Sequence, residues 1–197
     1  MSNFLDLLVY TLTFLLLHNV VLVRGVGASL SVSVTRSYRY VLVFGGCVTL
    51  STTFLSMPAW GMSQLLALIP GAAAFEPLFY GVLICGLYVG VHYALRWKLP
   101  ELYARYSNDV ALAALNSIVI TALTIPFHEH MGFGESVLFG FETGLSFLMG
   151  LLIVLEGQRR LATARVPRAF RGLPVMLLYI GLLAMALYGF VGHQLPF

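Results

Sequence analysis

Charged side chains are scarce in this sequence. They make up 10% of its 197 residues, against about 25% in a typical soluble domain, whereas hydrophobic residues make up 59%. This balance excludes a soluble enzyme, and the net charge of +3 reflects the composition of the loops and does not indicate nucleic-acid binding. We expect an all-α membrane protein, organised as a single integral membrane domain over residues 1–197.

Cysteine is nearly absent as well. Cys47 and Cys85 lie in apolar stretches without C-x-x-C spacing, so we expect both thiols to be buried and to pack as small hydrophobic side chains. A P-loop, a nucleophile–base pair and a haem-type histidine pair are also missing, and no catalytic residue is predicted. The first apolar stretch lacks a basic leader and an Ala-x-Ala site, so no cleavable signal peptide is expected.

Long hydrophobic runs fill most of the chain instead. Such continuous runs favour helices, because the strands of a membrane barrel would alternate between apolar and polar residues. The sequence predicts six transmembrane helices, over residues 4–23, 40–57, 78–95, 110–125, 136–155 and 173–191.

Basic residues predict the orientation of these helices. Every Lys and Arg lies in the first, third or fifth connection, and the second and fourth connections, residues 58–77 and 127–135, hold Glu76, Glu129 and Glu135 instead. Positively charged loops stay in the cytoplasm. We therefore expect a multi-pass protein of a bacterial-type inner membrane, with both termini on the outer, periplasmic side.

Polar residues interrupt the fourth run. Residues 113–124 are apolar enough for a bilayer, yet Asn116 and Ser117 stand side by side near the middle, and Pro126 closes the run. The apolar window is also shorter than the about 20 residues that a straight span needs. The pattern favours a discontinuous helix at a functional site. The alternative is a tight contact in which Asn and Ser hydrogen-bond to a neighbouring helix.

The first run repeats this feature. Residues 18–23, His-Asn-Val-Val-Leu-Val, place Asn19 inside an apolar run as residues 115–120 place Asn116, and a serine-rich segment with Ser29 follows. With six spans, two halves of three helices have opposite orientations, as an inverted repeat requires. We expect halves of about 1–100 and 101–197, with helices 1 and 4 interrupted and facing each other, because irregular backbone survives at that depth only inside protein.

Glu142 is the carboxylate that lies well inside a predicted span. A charge there costs roughly 2.5–3.5 kcal/mol on insertion scales, so the side chain is expected to face the bundle, protonated or paired. Such a group indicates a role in ion or proton movement, and the alternative is a structural hydrogen bond to a neighbouring helix. His92 is expected to be a satisfied histidine near a helix end. The sequence 128–130, His-Glu-His, indicates a solvated turn rather than a metal site.

Several of these segments resemble one family. Residues 19–24, the stretch from Leu102 to Asn116, and above all residues 166–172 (Val-Pro-Arg-Ala-Phe-Arg-Gly), which run on into 186–190, resemble the RnfA and NqrE membrane subunits of Rnf-type complexes and sodium-pumping quinone reductases. The resemblance runs nearly end to end. It implies an inverted repeat, outer termini and, as partner, a homologous six-helix sister subunit.

The sequence departs from this family at two positions. Family members carry a cysteine in each interrupted helix, and these cysteines, with two from the sister subunit, hold a [2Fe–2S] cluster. Here the corresponding residues are Ser29 and Ser117. Because thiolates are the usual protein ligands of such clusters, we expect no cofactor in this chain and no ligand role for either serine.

Two functions are compatible with this reading. The first is a membrane subunit of an Rnf-like complex that couples electron transfer to ion transport without the cluster, acting as a non-catalytic or electron-relay subunit. Its candidate ion-pathway residues are Glu142, Asn19 and Asn116. The second is a redox-inactive paralogue that acts as a small ion or solute transporter or as a membrane scaffold.

Overall fold

The computed structural model describes Asn19 and residues 37–68, 71–98, 101, 103 and 111–191. Their regular structure is helical throughout, and no strand occurs in these ranges. The α-helices are α1 (Tyr38–Ala67), α2 (Glu76–Lys98), α3 (Ser117–His128), α4 (Phe133–Thr163) and α5 (Leu173–Val191), with short 3₁₀ turns at Ala72–Phe75 and Arg168–Phe170. The all-α prediction is confirmed. Apart from Asn19, the first predicted helix lies outside the described residues, so six helices in an inverted repeat stay a prediction.

Four segments of the described chain have the length and apolarity to cross a membrane. They are Tyr38–Ala67, Glu76–Trp97, Ala111–His128 and Phe133–Thr163, and α5 contributes a shorter apolar helix. Many large apolar side chains point away from the protein, among them Leu50, Val82 and Leu182. In water such faces would be unfavourable, whereas against lipid chains they cost nothing. The prediction of an integral membrane protein therefore agrees with the helices.

The prediction that Pro58 begins a loop is wrong. Helix α1 runs through Pro58 to Ala67, and α3 likewise continues through Pro126 to His128. Proline is tolerated in membrane helices because neighbouring groups can satisfy the backbone carbonyl that it frees. The second connection therefore shrinks to residues 68–75, where Gly71 adopts a left-handed φ of 83°. The fourth connection shrinks to residues 129–132.

The chain divides into two compact units, residues 44–144 and residues 1–43 with 145–197. These units do not coincide with the predicted sequence halves, and the single-domain organisation stays a prediction. In unit 44–144, the apolar core joins α1, α2 and α3 through Leu55, Ala59, Tyr80, Ile84, Val119 and Leu123.

Small residues bring α4 close to α1 inside unit 44–144. A Cβ added at Gly140 would lie 2.9 Å from the Thr52 carbonyl oxygen, and one added at Gly144 would lie 2.8 Å from Thr52 Oγ1. The two glycines are one helical turn apart, in the Gly-x-x-x-Gly spacing that lets membrane helices approach closely. The α1–α4 contact is therefore made by backbone and small polar side chains.

The other unit packs α5 against the second half of α4. Val154, Met176 and Ile180 form its buried apolar cluster, and the Tyr179 ring lies directly over Gly157. At the predicted cytoplasmic end of α4, Glu156 accepts hydrogen bonds from Tyr38 (3.0 Å) and Arg160 (2.9 Å). These polar contacts are exposed, so their contribution to stability is small.

Candidate functional site

Asn116 interrupts the fourth apolar segment. Residues 111–114 are helical, Leu115 bends, and Asn116 is extended (φ −121°, ψ 141°) before α3 begins at Ser117. The Asn116 side chain caps the new helix, because its Oδ1 accepts a hydrogen bond from Ile118 N at 3.1 Å. The break predicted in this segment is therefore confirmed, and it places the positive end of the α3 dipole at a buried position.

The Asn116 amide group has a second consequence. The residue is only 3% exposed, and its Nδ2 has no hydrogen-bond partner among the described residues. Buried donors are normally paired, since leaving one unpaired costs roughly 1–3 kcal/mol. The cap therefore holds an amide donor in position to bind an acceptor that the described residues do not supply.

Asn19 is completely buried. Its Nδ2 donates a hydrogen bond to the Ser146 carbonyl oxygen of α4 at 2.8 Å. This contact lies inside unit 1–43 with 145–197, whereas Asn116 belongs to unit 44–144. The predicted approach of the two asparagines therefore stays a prediction. The other residues of the first run, and Ser29 after it, lie outside the described residues.

Glu142 faces the protein interior. It is 3% exposed on α4, and its Oε1 has no hydrogen-bond partner among the described residues. The hydroxyl of the neighbouring Thr143, which is fully buried, also has no partner there. A buried carboxyl beside a buried hydroxyl can hold and release a proton or help to coordinate a cation. The predicted inward orientation agrees with this burial, and the ion-handling role stays a prediction.

Ser117 does not form part of a ligand set for an iron–sulfur cluster. Its exposed hydroxyl lies 3.5 Å from Asn116 Oδ1, at the first residue of α3. Cys47 and Cys85 lie on α1 and α2, and no group of three or more potential metal ligands occurs in the described ranges. Because a hydroxyl is a poor substitute for a thiolate, the donors present at Ser117 do not fit the family's cluster.

The cysteine prediction is wrong in one respect. Cys47 and Cys85 are both exposed, on helix faces that point away from the protein. A small thiol in an apolar run is expected to be buried, but in a membrane helix the outward face is as apolar as the inward one. Burial therefore cannot be inferred from apolar neighbours alone.

The histidines behave as expected. His92 Nε2 lies 3.1 Å from the Tyr103 hydroxyl, so this histidine has a hydrogen-bond partner. His128 ends α3, and Glu129 and His130 form an exposed turn in which His130 has a φ of 52°. The prediction of a turn at residues 128–130 is confirmed.

Glu76 is a buried charge that the sequence pattern does not reveal. The pattern places it in an outer loop, but it begins α2 and is only 3% exposed, with Oε1 unpaired among the described residues. Its other oxygen, Oε2, lies 3.9 Å from His128 Nδ1. A loop between two runs carries no periodic pattern, so nothing in the local sequence indicates that this carboxylate turns inward.

Comparisons with known proteins agree on one family. A family model described as "Rnf-Nqr subunit, membrane protein" matches residues 7–194. Several relatives are named as one of the subunits of an ion-translocating oxidoreductase complex. The protein from Aromatoleum aromaticum is 32% identical over 90% of this chain and 92% of its own length. Those from Azoarcus sp. and Edwardsiella ictaluri are 30% and 28% identical over 98% of both chains.

Proposed function

Because this chain belongs to the Rnf-Nqr family of membrane subunits, we propose that it is a membrane subunit of an Rnf-type complex that couples electron transfer to ion translocation. The observation that carries the proposal is the extent of the similarity. Relatives named as the same component of an ion-translocating oxidoreductase complex match over nearly their whole length, so the likeness is not confined to one segment of those proteins.

The partner is a homologous six-helix subunit, together with further subunits of the complex. The proposed setting is the inner membrane, with both termini on the outer side. The distribution of basic residues supports this orientation, since all eleven Lys and Arg lie in alternate connections. The five arginines between α4 and α5 then face the cytoplasm.

Ion movement is assigned to buried polar groups on the interrupted and inward-facing helices. Glu142 is the ion-handling carboxyl, and Asn116 and Asn19 are polar groups of the same pathway. Their burial supports this role, because each is at most 3% exposed and polar groups at such depth are costly unless they serve a contact or a pathway.

Electron transfer in this subunit does not pass through a cluster ligated by this chain. The hydroxyl at Ser117 supports this part of the proposal, and Ser29 and Ser117 then have a structural role or line a hydrated path. Iron and spectroscopic analysis of the purified native assembly tests it. A cluster whose signal changes in Ser117→Ala contradicts it.

The test of ion coupling uses Glu142→Gln in the native assembly, reconstituted in vesicles. Removing the ionisable carboxyl is expected to lower redox-driven ion transport at least about tenfold, or about 1.4 kcal/mol in the barrier, while the amide keeps the size of the side chain. Glu101→Gln is the matched control, because Glu101 is exposed. Transport at the unmodified rate in Glu142→Gln removes this residue from the pathway.

The serine at position 117 also favours a second candidate, a redox-inactive paralogue that acts as a small transporter or scaffold. The same vesicle assay separates the two candidates. Ion or solute movement that is independent of any electron donor supports the paralogue, whereas movement that stops without the donor supports the Rnf-type subunit.

A further inference from the structure

A small polar cavity lies within unit 44–144, near the end of the helices where α2 and α4 begin. Its polar lining comes from Ser56, Trp60 and Ser63 of α1, Tyr80 of α2 and Ser136 of α4, and Pro126 of α3 closes one side. The cavity has a volume of about 10 Å³ for the centre of a water molecule. That is close to the minimum that one buried water requires.

Three polar atoms in the lining have no hydrogen-bond partner among the described residues. They are Trp60 Nε1, the Tyr80 hydroxyl and Ser136 Oγ. Tyr80 is 1% exposed and Ser136 is 3% exposed, so bulk water does not satisfy them. Buried polar groups are almost always paired with protein or with ordered water. A water in this cavity has the two to four polar partners that a buried water normally makes.

The chemistry of these atoms favours water over a metal cation. An indole N–H can only donate a hydrogen bond, so Trp60 presents a positive edge to the cavity and repels a cation there. A water accepts this bond and keeps both of its own hydrogens for the oxygens of Tyr80 and Ser136. The two hydroxyls can each donate and accept, which is the property that proton relay requires.

A buried carboxyl connects this cavity to the surface. Glu76 lies one helical turn before Tyr80 on α2, and residues spaced by four share a helix face. Its Oε2 is 3.9 Å from Nδ1 of His128, whose side chain is exposed at the end of α3. The groups therefore follow one another from solvent to the interior as an imidazole, a carboxyl, a phenol and a cavity.

The other titratable groups at this end are exposed. Glu129 and His130 stand in the turn after α3, and Glu135 on α4 accepts a hydrogen bond from Gly132 N at 2.9 Å. Helix α1 carries no acidic or basic residue between positions 44 and 67. Glu76 is thus the buried carboxyl at this end of the unit, among the residues that the structure describes.

We propose that Glu76, Tyr80, Trp60 and Ser136, with one water in the cavity, form a proton-entry site on the outer side of this subunit. A proton from solvent or from His128 binds the Glu76 carboxylate and passes inward through the hydroxyls and the water. Each hydroxyl accepts one proton and gives up another, so one proton moves and no relay group changes its charge. The site rests on the proposed function, because it needs a subunit that moves protons.

The first test is a high-resolution structure of the native assembly. It is expected to show a water about 2.7–3.2 Å from Trp60 Nε1, the Tyr80 hydroxyl and Ser136 Oγ. A dry cavity, or one filled by a side chain of another subunit, overturns the inference.

The second test measures redox-driven proton uptake by the assembly in vesicles. Glu76→Gln, Tyr80→Phe and Ser136→Ala are each expected to lower uptake at least about tenfold, or about 1.4 kcal/mol in the barrier. Glu129→Gln is the matched control, since it removes an exposed carboxylate from the same end. Tyr80→Phe and Ser136→Ala each remove one oxygen atom, and the amount of assembled complex shows that they fold.

The outcomes separate the entry site from the proposed function. Uptake that persists at the unmodified rate in all three variants overturns the entry site and leaves the proposed function intact. Transport of another cation that does not depend on protons has the same result. Electron transfer without ion movement in the unmodified assembly overturns the proposed function, and the entry site with it.

Discussion

Gly144→Ala tests the close contact between α4 and α1. The added Cβ would lie 2.8 Å from Thr49 Cβ and from Thr52 Oγ1, and closer still to Thr49 Cα. Carbon atoms in contact normally stand about 3.5–4.0 Å apart. The Thr49 side chain cannot easily rotate away, because its hydroxyl donates to the Gly45 carbonyl at 2.8 Å. The helices must therefore separate by a few tenths of an ångström or more.

The size of the effect follows from two opposing terms. Forcing a methyl group into a filled contact costs typically 1–3 kcal/mol, and the upper half of that range applies where backbone is the obstacle. Alanine gains roughly 0.8–1.0 kcal/mol over glycine inside a helix. The free energy of unfolding is therefore expected to fall by about 1–2 kcal/mol.

The measurement is denaturation of the purified chain in detergent micelles, by heat and by a denaturing detergent. For a chain of this length, about 1–2 kcal/mol lowers the unfolding midpoint by roughly 2–8 °C. The control is Gly86→Ala on α2, where an added Cβ meets no atom within 4 Å. This variant has the same helical gain without the clash, so its midpoint is expected to stay level or to rise.

Two results would refute the reasoning. If Gly144→Ala unfolds at the midpoint of the unmodified chain, the α1–α4 approach is wider than the structure has it. If Gly86→Ala loses as much as Gly144→Ala, the loss belongs to the glycine itself and not to the contact.

Two further predictions concern single side chains. Asn116→Ala removes the acceptor for Ile118 N and is expected to cost about 0.5–2 kcal/mol in the same denaturation, whereas Asn116→Ser keeps a capping oxygen and is expected to stay close to the unmodified chain; equal losses in both variants contradict the cap. Cys85 is exposed on an apolar helix face, so in a Cys47→Ala background a lipid-soluble thiol reagent is expected to label it in membranes and a membrane-impermeant one is not. Labelling by the aqueous reagent alone shows that this face meets water.

The interruption at Asn116 could be read from the sequence for a simple reason. An amide side chain inside an apolar run is costly unless it has a partner, and the first free N–H groups of a new helix are the nearest available donors. Glu142 follows the same logic, since a carboxyl at that depth must turn away from lipid. Both are local statements about one residue and its surroundings.

Pro58 and Glu76 show where such reasoning fails. Proline ends a helix in water, yet α1 continues for nine residues beyond it. Whether it continues depends on what packs around the freed carbonyl, and that is a property of neighbouring helices. Glu76 similarly turns inward at a helix start where the sequence pattern indicates a solvated loop.

The sequence by itself determined that this chain lives in a membrane, how its loops are oriented as a prediction, and that polar groups break its fourth apolar segment. These follow from the cost of transferring charge and unpaired backbone into hydrocarbon, which depends on composition and not on partners. Only the tertiary structure decided which faces are buried. In a bilayer both faces of a helix are apolar, so the exposed cysteines, the Gly140 and Gly144 contact and the cavity beside Tyr80 depend on which helices meet.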